Sequence, residues 1–379
     1  MNQPAPTCIT EGTTSLFVYG KKESSKGPAE KKSLPFYNPA MQLNRDLSIA
    51  LLQWFVNRTD LKKPLTVLDG LSASGIRGIR MANEVEGSLF ITCNDWSKPA
   101  YDLIKKNCAL QNQSQIKATQ ENIHRLLAQN RYHYVDIDPF GSPVQFIDSA
   151  IRGLKKNGIL ACTATDTATL CGHYQKVCYR RYGAMSLHSP MMHEIGLRIL
   201  IAFICKEAAK YDLGMTPILS YTTDHYMRVY LQMNKGIKNA NNTIDQISTV
   251  SSSKIPFIKE TKEKQIGPLY MGFIQSAQAI QHMRSIILQK SFGSKHQMLS
   301  LLNILEEESN APAFFYTINS IASVLKTSAP SRKAFFKVLS DQGFFVSRTH
   351  INPTGFKTNA SEKEILNAFK EAKNNKENH

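Results

Sequence analysis

The 379-residue chain has no apolar run of the roughly 18 to 20 residues needed to cross a bilayer. Its first residues carry neither a basic-plus-apolar leader nor an Arg-rich amphipathic pattern, so a cytoplasmic location without a membrane partner is expected. Seven cysteines, an odd number, are scattered without a Cys-x-x-Cys pair. That argues against a disulfide framework and a structural zinc site, and predicts reduced thiols and no metal. The glycines form neither G-x-G-x-x-G nor the Gly-Lys-Ser/Thr of a phosphate-binding loop, which disfavours NAD and ATP. No repeat of the solenoid kind is present. Acids are scarce as well: 30 Asp and Glu against 46 Lys and Arg leave a net charge of +16. The excess persists in residues 1–235 and in residues 236–379. Such a balance suits a polyanion such as nucleic acid, because each neutralised phosphate releases counterions. It also serves simple solubility.

What is present is length and rhythm. A chain of this size with 42% hydrophobic residues can build two cores. From residue 64, short β-branched or apolar runs alternate with amphipathic stretches: 65–68, 89–93, 116–119, 134–137 and 159–163. Helical spacing follows at Phe146, Ile147, Ala150, Ile151 and Leu154, and again over 193–211. Residues 217–221 and 228–233 read as two further strands, which predicts a doubly wound α/β sheet of seven strands ending near residue 235. The polar stretch 234–253 reads as a linker or exposed loop. Beyond it, helices are expected over 274–288, 298–308, 318–325 and 361–375. The division expected is residues 1–235, with an N-terminal extension, and a smaller α+β domain over 236–379.

The chemistry concentrates at strand ends. The first strand runs into Asp69-Gly-Leu-Ser-Ala-Ser-Gly75-Ile-Arg77-Gly78, where glycines let backbone approach a ligand and a helix opens with free N–H groups. The second ends at Asp95-Trp96, twenty residues past Gly75, where a carboxylate can hold ribose hydroxyls and an indole can lie on adenine. The third ends at Glu121-Asn122, and the fourth delivers Asp138-Pro139-Phe140-Gly141. Each acid alone is more often a helix cap or a solvated turn. Three in succession before Asp-Pro-Phe form the layout of a methyltransferase dependent on S-adenosylmethionine. Asp138 can accept hydrogen from an exocyclic amine, Pro139 stiffens the turn, and Phe140 offers a face to a flat ring. Cys171 and Cys178 lack a Pro-Cys setting, and methylation of an amine needs no cysteine nucleophile.

These residues resemble the tRNA (guanine-N2-)-dimethyltransferases, which modify guanosine 26 of tRNA. The resemblance rests on Glu11-Gly12, on residues 36–48 (FYNPAMQLNRDLS), 69–78 and 138–141, and on 164–172 (ATDTATLCG), 180–183 (RRYG) and 193–200 (HEIGLRIL). It extends to 267–272 (GPLYMG) and 349–358 (THINPTGFKT), covering about residues 11 to 360. Two departures stand out. Many members carry a cysteine zinc site in the region that here spans 234–265 without a cysteine, and Glu121-Asn122 stands where the family often has Asp-Ala.

The resemblance implies a class I, Rossmann-like methyltransferase that uses S-adenosylmethionine, with tRNA as partner and no obligate protein partner. It implies that Phe36 and Phe140 sandwich a flipped-out guanine while Asp138 holds its amino group. Arg45 and Arg77 would meet the cofactor carboxylate, and Asp69 and Gly75 would shape its loop. Asp95 and Glu121 would take the ribose and the adenine side, with Asn122 offering backbone groups to the ring. Residues 236–379 would grip the tRNA body. Arg180 and Arg181 are open to phosphates, whereas His193 and Glu194 suit bracing a helix. The rival readings are an amino-methyltransferase acting on another base or a protein glutamine, and a non-catalytic RNA-binding protein of the same fold.

Overall fold

The computed structural model describes residues 5–20, 34–58, 60–223, 225–256 and 263–377. The chain opens with a hairpin of β1 (Thr7–Glu11) and β2 (Thr14–Val18), followed by helix α1 (Gln42–Val56). The expected alternation then runs through β3 (Leu65–Asp69), α2 (Ile76–Glu84), β4 (Leu89–Asn94), α3 (Lys98–Gln111), β5 (Ile116–Thr119), α4 (Ile123–Gln129), β6 (Tyr132–Ile137), α5 (Val144–Arg152) and β7 (Leu154–Ala164). Short helices α6 (Thr167–Leu170) and α7 (Gln175–Tyr182) and the longer α8 (Met192–Ala209) precede β8 (Leu213–Thr222) and β9 (Met227–Lys235). After these come α9 (Ile237–Ile244), β10 (Ile247–Ser251), β11 (Gln265–Tyr270), α10 (Ala277–Gln289) and α11 (Lys295–Glu307). The last elements are β12 (Tyr316–Thr317), α12 (Ile318–Leu325), α13 (Arg332–Asp341), β13 (Val346–Arg348), β14 (Gly355–Thr358) and α14 (Glu362–Glu377).

Seven strands form one sheet in the order β5-β4-β3-β6-β7-β9-β8, parallel except where β9 pairs with β7 and β8. The strands are apolar because helices cover both faces of a parallel sheet, and β6 is buried at all six positions. Chain order reverses between the neighbours β3 and β6. Their carboxyl ends therefore flank the crevice at which doubly wound sheets bind ligands.

The stretch 234–253 is not the exposed linker expected from its polarity. It contains the end of β9, helix α9 and strand β10. Composition misled because α9 docks with small and polar groups: Ala240 and Thr243 are buried, and the Thr243 hydroxyl accepts from Met215 N at 2.9 Å. The cysteine-free region 234–265, of which this stretch is part, is tied by the antiparallel β10–β11 pair and by Glu263, which accepts from Ser251 and from Ser253 Oγ at 2.9 Å. Residues 257–262 lie outside the described residues.

By compactness the chain divides into two interleaved units rather than at one cut after residue 235. The first comprises 1–167, 204–245 and 278–300, the second 168–203, 246–277 and 301–379. The first holds the seven-stranded sheet. The second holds the three-stranded sheet β12-β14-β13 with α12, α13 and α14, around a core in which Phe335 meets Phe356 and Phe369 at 5.1 and 5.5 Å. It also buries Glu194, which binds Arg198 Nε at 2.9 Å, Lys357 Nζ at 2.7 Å and the Phe314 N–H at 2.8 Å. Glu194 thus braces this unit, as its helix position suggested. Burial acts to raise its carboxyl, but Lys357 and Arg198 hold it down at about 2. Among the described residues no helix is long and apolar enough to cross a membrane, and no group of three His, Cys, Asp or Glu is placed to hold a metal.

Candidate active site

The site lies in the first unit, at the carboxyl ends of β3, β4, β5 and β6. Strand β3 ends at Asp69, which is buried, and its Oδ2 accepts from Gly78 N at 3.0 Å across the first turn of α2. The loop between them needs left-handed backbone at Ala73 (φ 49) and at Gly75 (φ 80), the residue that opens α2. A Cβ at Gly75 would sit 3.0 Å from Ile79 Cδ1, so both its angle and its space favour glycine. Burial, opposed by Arg77 and assisted by Asp136, pushes the Asp69 carboxyl up to about 7.

Asp95 binds the loop to β4. Its Oδ2 accepts from Ala73 N at 3.0 Å and its Oδ1 from Ser97 N at 2.9 Å, while partial burial raises the carboxyl. Trp96 beside it is 69% exposed. Glu121 is half-buried at the end of β5, and Asn122 caps α4 by accepting from His124 N at 2.9 Å. A residue that sequence reasoning passed over holds these ends in register. Buried Asn94 donates to the carbonyls of Gly70 and Glu121, both at 3.1 Å, and accepts from Thr119 Oγ1 at 2.9 Å and Glu121 N at 3.1 Å. All four bonds of one amide thus link three strand ends.

Strand β6 delivers the acids at period two, so Tyr134, Asp136 and Asp138 share one side. Asp136 is fully buried and receives Arg228 through two bonds, at 2.9 and 2.6 Å, together with the Tyr134 hydroxyl at 3.0 Å. Burial acts to raise its carboxyl, but Arg228 and Arg77 hold it below its ordinary value. Arg77 lies between the two acids, with Nε 3.6 Å from Asp136 Oδ1 and Nη2 bonded to Asp138 Oδ2. Its Nη1 donates to Asn44 Oδ1 and Ser48 Oγ, both at 2.7 Å, because the i, i+4 spacing of α1 puts those side chains on one face. Asp138 Oδ1 has no hydrogen-bond partner among the described residues.

The turn that carries Asp138 is fastened to the end of β7 by Gly141 N to Thr165 Oγ1 at 2.6 Å and Thr165 N to Gly141 O at 3.0 Å. Phe140 remains 57% exposed and meets Phe36 with ring centroids 5.8 Å apart at 64°. The two expected walls are therefore together, but edge to face. A flat ring between parallel walls spans about 7 Å, two contacts of roughly 3.5 Å. To hold such a ring the slot would have to widen and one of the two side chains would have to turn.

Arg45 is turned toward β1. Its Nε donates to Glu11 Oε1 at 2.6 Å, and both Nη atoms reach the Asn38 carbonyl at 3.1 Å. Glu11 also accepts from Arg80 Nη1 at 2.7 Å and the Tyr37 hydroxyl at 3.0 Å. Burial acts to raise its carboxyl, but Arg45 and Arg80 hold it down. The Glu11-Gly12 signature is thus the anchor of the segment that carries Phe36. The signal for Asp136 was visible as the period-two partner of Asp138. Nothing local marked Arg228, nearly a hundred residues further on.

Comparison with known proteins gives a consistent result. The family model of the N2,N2-dimethylguanosine tRNA methyltransferases matches residues 19–370. The chain is 36% identical over 362 residues to a tRNA (guanine(26)-N(2))-dimethyltransferase of Pyrococcus abyssi, covering 89% of this chain and 93% of that protein. It is 36% identical over 382 residues to the enzyme of that name from Methanobrevibacter smithii, covering 96% of each. Among solved structures it matches Trm1 from Pyrococcus horikoshii in complex with S-adenosyl-L-methionine, with a TM-score of 0.83 and 32% identity over 96% of this chain and 99% of that one.

Proposed function

The chain belongs to the N2,N2-dimethylguanosine tRNA methyltransferase family, and from that premise we propose that it methylates N2 of guanosine 26 in tRNA, using Asp138 and the Phe36–Phe140 slot. The observation that carries the reading is the open Oδ1 of Asp138 beside two aromatic rings. Arg77 occupies Oδ2 and leaves the other oxygen available to a base held by the rings.

The strand ends fit the cofactor. Asp95 and Glu121 offer half-buried carboxylates at adjacent strand termini for a ribose and the adenine side, Asn122 lies next to them, and Trp96 offers an exposed ring. The backbone from Asp69 to Gly75 would wrap the remainder. S-adenosylmethionine, when bound, supplies a methyl group activated by its positive sulfur. For Arg45 and Arg77 to hold its carboxylate, that group has to share guanidiniums already bonded to Glu11 and Asp138.

The lone pair of a guanine amine is delocalised into the ring, which makes it a poor nucleophile. Asp138 Oδ1 accepts a hydrogen bond from the NH2 group, which returns electron density to nitrogen and fixes its direction. The proton released on methylation passes to Asp138 or to water at the same oxygen. Phe36 and Phe140 hold the base outside its helical stack, and stacking offsets the cost of extrusion by roughly 1 to 3 kcal/mol. The basic residues of 236–379 grip the tRNA body. A tRNA substrate also agrees with the cytoplasmic location expected from the sequence.

The test is to incubate the protein with S-adenosylmethionine and an unmodified tRNA transcript, digest the RNA and identify its nucleosides by mass spectrometry. N2-methylguanosine and N2,N2-dimethylguanosine mapped to position 26 support the reading. A methyl group found only on adenine or cytosine, or none at all, overturns it.

A further inference from the structure

Between Asp166 and Glu194 the chain has no acidic residue, yet it carries Lys176, Arg180, Arg181, His173 and His188. Helix α7 lies in this stretch, within the second unit. Its inner face is set by Cys178 and Tyr182, which are buried four residues apart. The opposite face leaves Tyr179 62% exposed, with Lys176 and Arg180 exposed beside it. Spacing of i, i+3 and i+4 makes these three side chains neighbours on the surface. Tyr174, at the residue before the helix, is 60% exposed.

The platform is held at both ends. Gln175 Nε2 donates to Ser186 O at 3.1 Å, and the helix stops at Gly183 in left-handed backbone, whose N–H returns to Tyr179 O at 2.9 Å. The ring of His173, in the turn before the helix, meets that of His188, beyond its C-terminal end, at 4.2 Å. Two large rings more than half exposed beside the cations of an acid-free stretch of chain add little to the core, which points to a use outside it. Cation, ring and cation alternate here as phosphate and base alternate along an RNA strand, and stacking tolerates any base because each has a π face. An acidic peptide would satisfy the charges but would not require the exposed ring faces.

We propose that the exposed face of α7 is a stacking platform for an unpaired nucleotide of the RNA substrate, with Tyr179 taking the base and Lys176 and Arg180 the flanking phosphates. The inference rests on the tRNA reading above.

The experiment uses the full chain and an unmodified tRNA transcript, with affinity measured over a series of salt concentrations. Tyr179→Ala is expected to weaken tRNA binding roughly five- to a hundredfold, and Tyr179→Trp to restore most of it. Removing both Lys176 and Arg180 as alanines should lower the slope of log K against log salt by about 0.7 to 0.9 per lost phosphate contact. Affinity for S-adenosylmethionine should stay unchanged in every variant. Binding within twofold for Tyr179→Ala, a loss that tryptophan does not repair, or an unaltered salt slope overturns the platform. If the wild-type protein forms no N2-methylated guanosine while tRNA affinity still follows Tyr179, the proposed reaction fails and the platform stands.

Discussion

Replacing Asp138 with asparagine separates the chemistry of the site from its architecture. The two side chains have the same shape, so the exchange removes a charge and an acceptor without opening a cavity. Arg77 keeps a neutral amide oxygen in place of Oδ2, with the NH2 group turned to the open side, and also keeps Asn44 and Ser48, both at 2.7 Å, and Asp136 at 3.6 Å. The Asp138 side chain is 20% exposed. The stability cost should therefore fall between the 0–1 kcal/mol of a surface pair and the 3–5 of a broken buried one, about 1 to 2 kcal/mol. The effect on rate should be larger. A hydrogen bond to a charged acceptor contributes about 1.5 to 3 kcal/mol, and a positioned proton acceptor about 10²- to 10⁴-fold. At saturating tRNA the single-turnover rate should drop by about 10²- to 10⁴-fold while tRNA affinity stays within a few-fold. Rapid-quench transfer of a labelled methyl group, filter binding and thermal melting measure the three quantities separately. A rate within tenfold of wild type would remove Asp138 from the chemistry. Parallel loss of rate and tRNA affinity would make it a structural residue.

Asp136→Asn should be the more damaging to the fold, by about 3 to 5 kcal/mol in a denaturant titration, because it leaves Arg228 and Arg77 buried without their shared carboxylate; a loss below 1 kcal/mol would contradict the buried network. Asp69, pushed up to about 7, takes up a proton on folding, so its contribution is full below about pH 4 and fades as pH rises to about 7. Asp69→Asn should abolish that decline in the cofactor-free protein, and a wild-type melting temperature flat from pH 4 to 7 would count against it. Glu194 behaves in the opposite sense: held at about 2 against an ordinary 4.5, it stabilises above pH 4.5 and loses that as pH falls toward 2, with a span of about 3 kcal/mol. Glu194→Gln should flatten the acid limb of stability whatever its absolute value, and an unchanged limb would assign the sensitivity elsewhere.

The central sheet was legible because each of its strands is a short apolar run bounded by turn residues, and a covered parallel sheet demands that composition. The strand-end acids were legible for a related reason, since ligand crevices recur at those ends. Residues 234–253 were not, because α9 packs through Ala240 and a threonine hydroxyl rather than through a broad apolar stripe. Helix α13 and the three-stranded sheet around β14 also escaped notice: strands of two to four residues are too short to show a period.

Sequence alone determined the fold class, the order of the sheet-forming segments and the identity of the acids, since these depend on hydrophobic periodicity and on residue type at strand termini, both local properties of the chain. Only the tertiary structure decided how those acids are held and that Asp136 joins them. Asp136 meets Arg228 across 92 positions, Arg45 is taken by Glu11 from 34 positions away, and Arg77 reaches Asp138 over 61. Charge pairing inside a protein is chosen by which groups burial brings within about 4 Å, and no local pattern records that distance. The folding of the chain therefore settled that Asp138 keeps one oxygen bonded to Arg77 and leaves the other open.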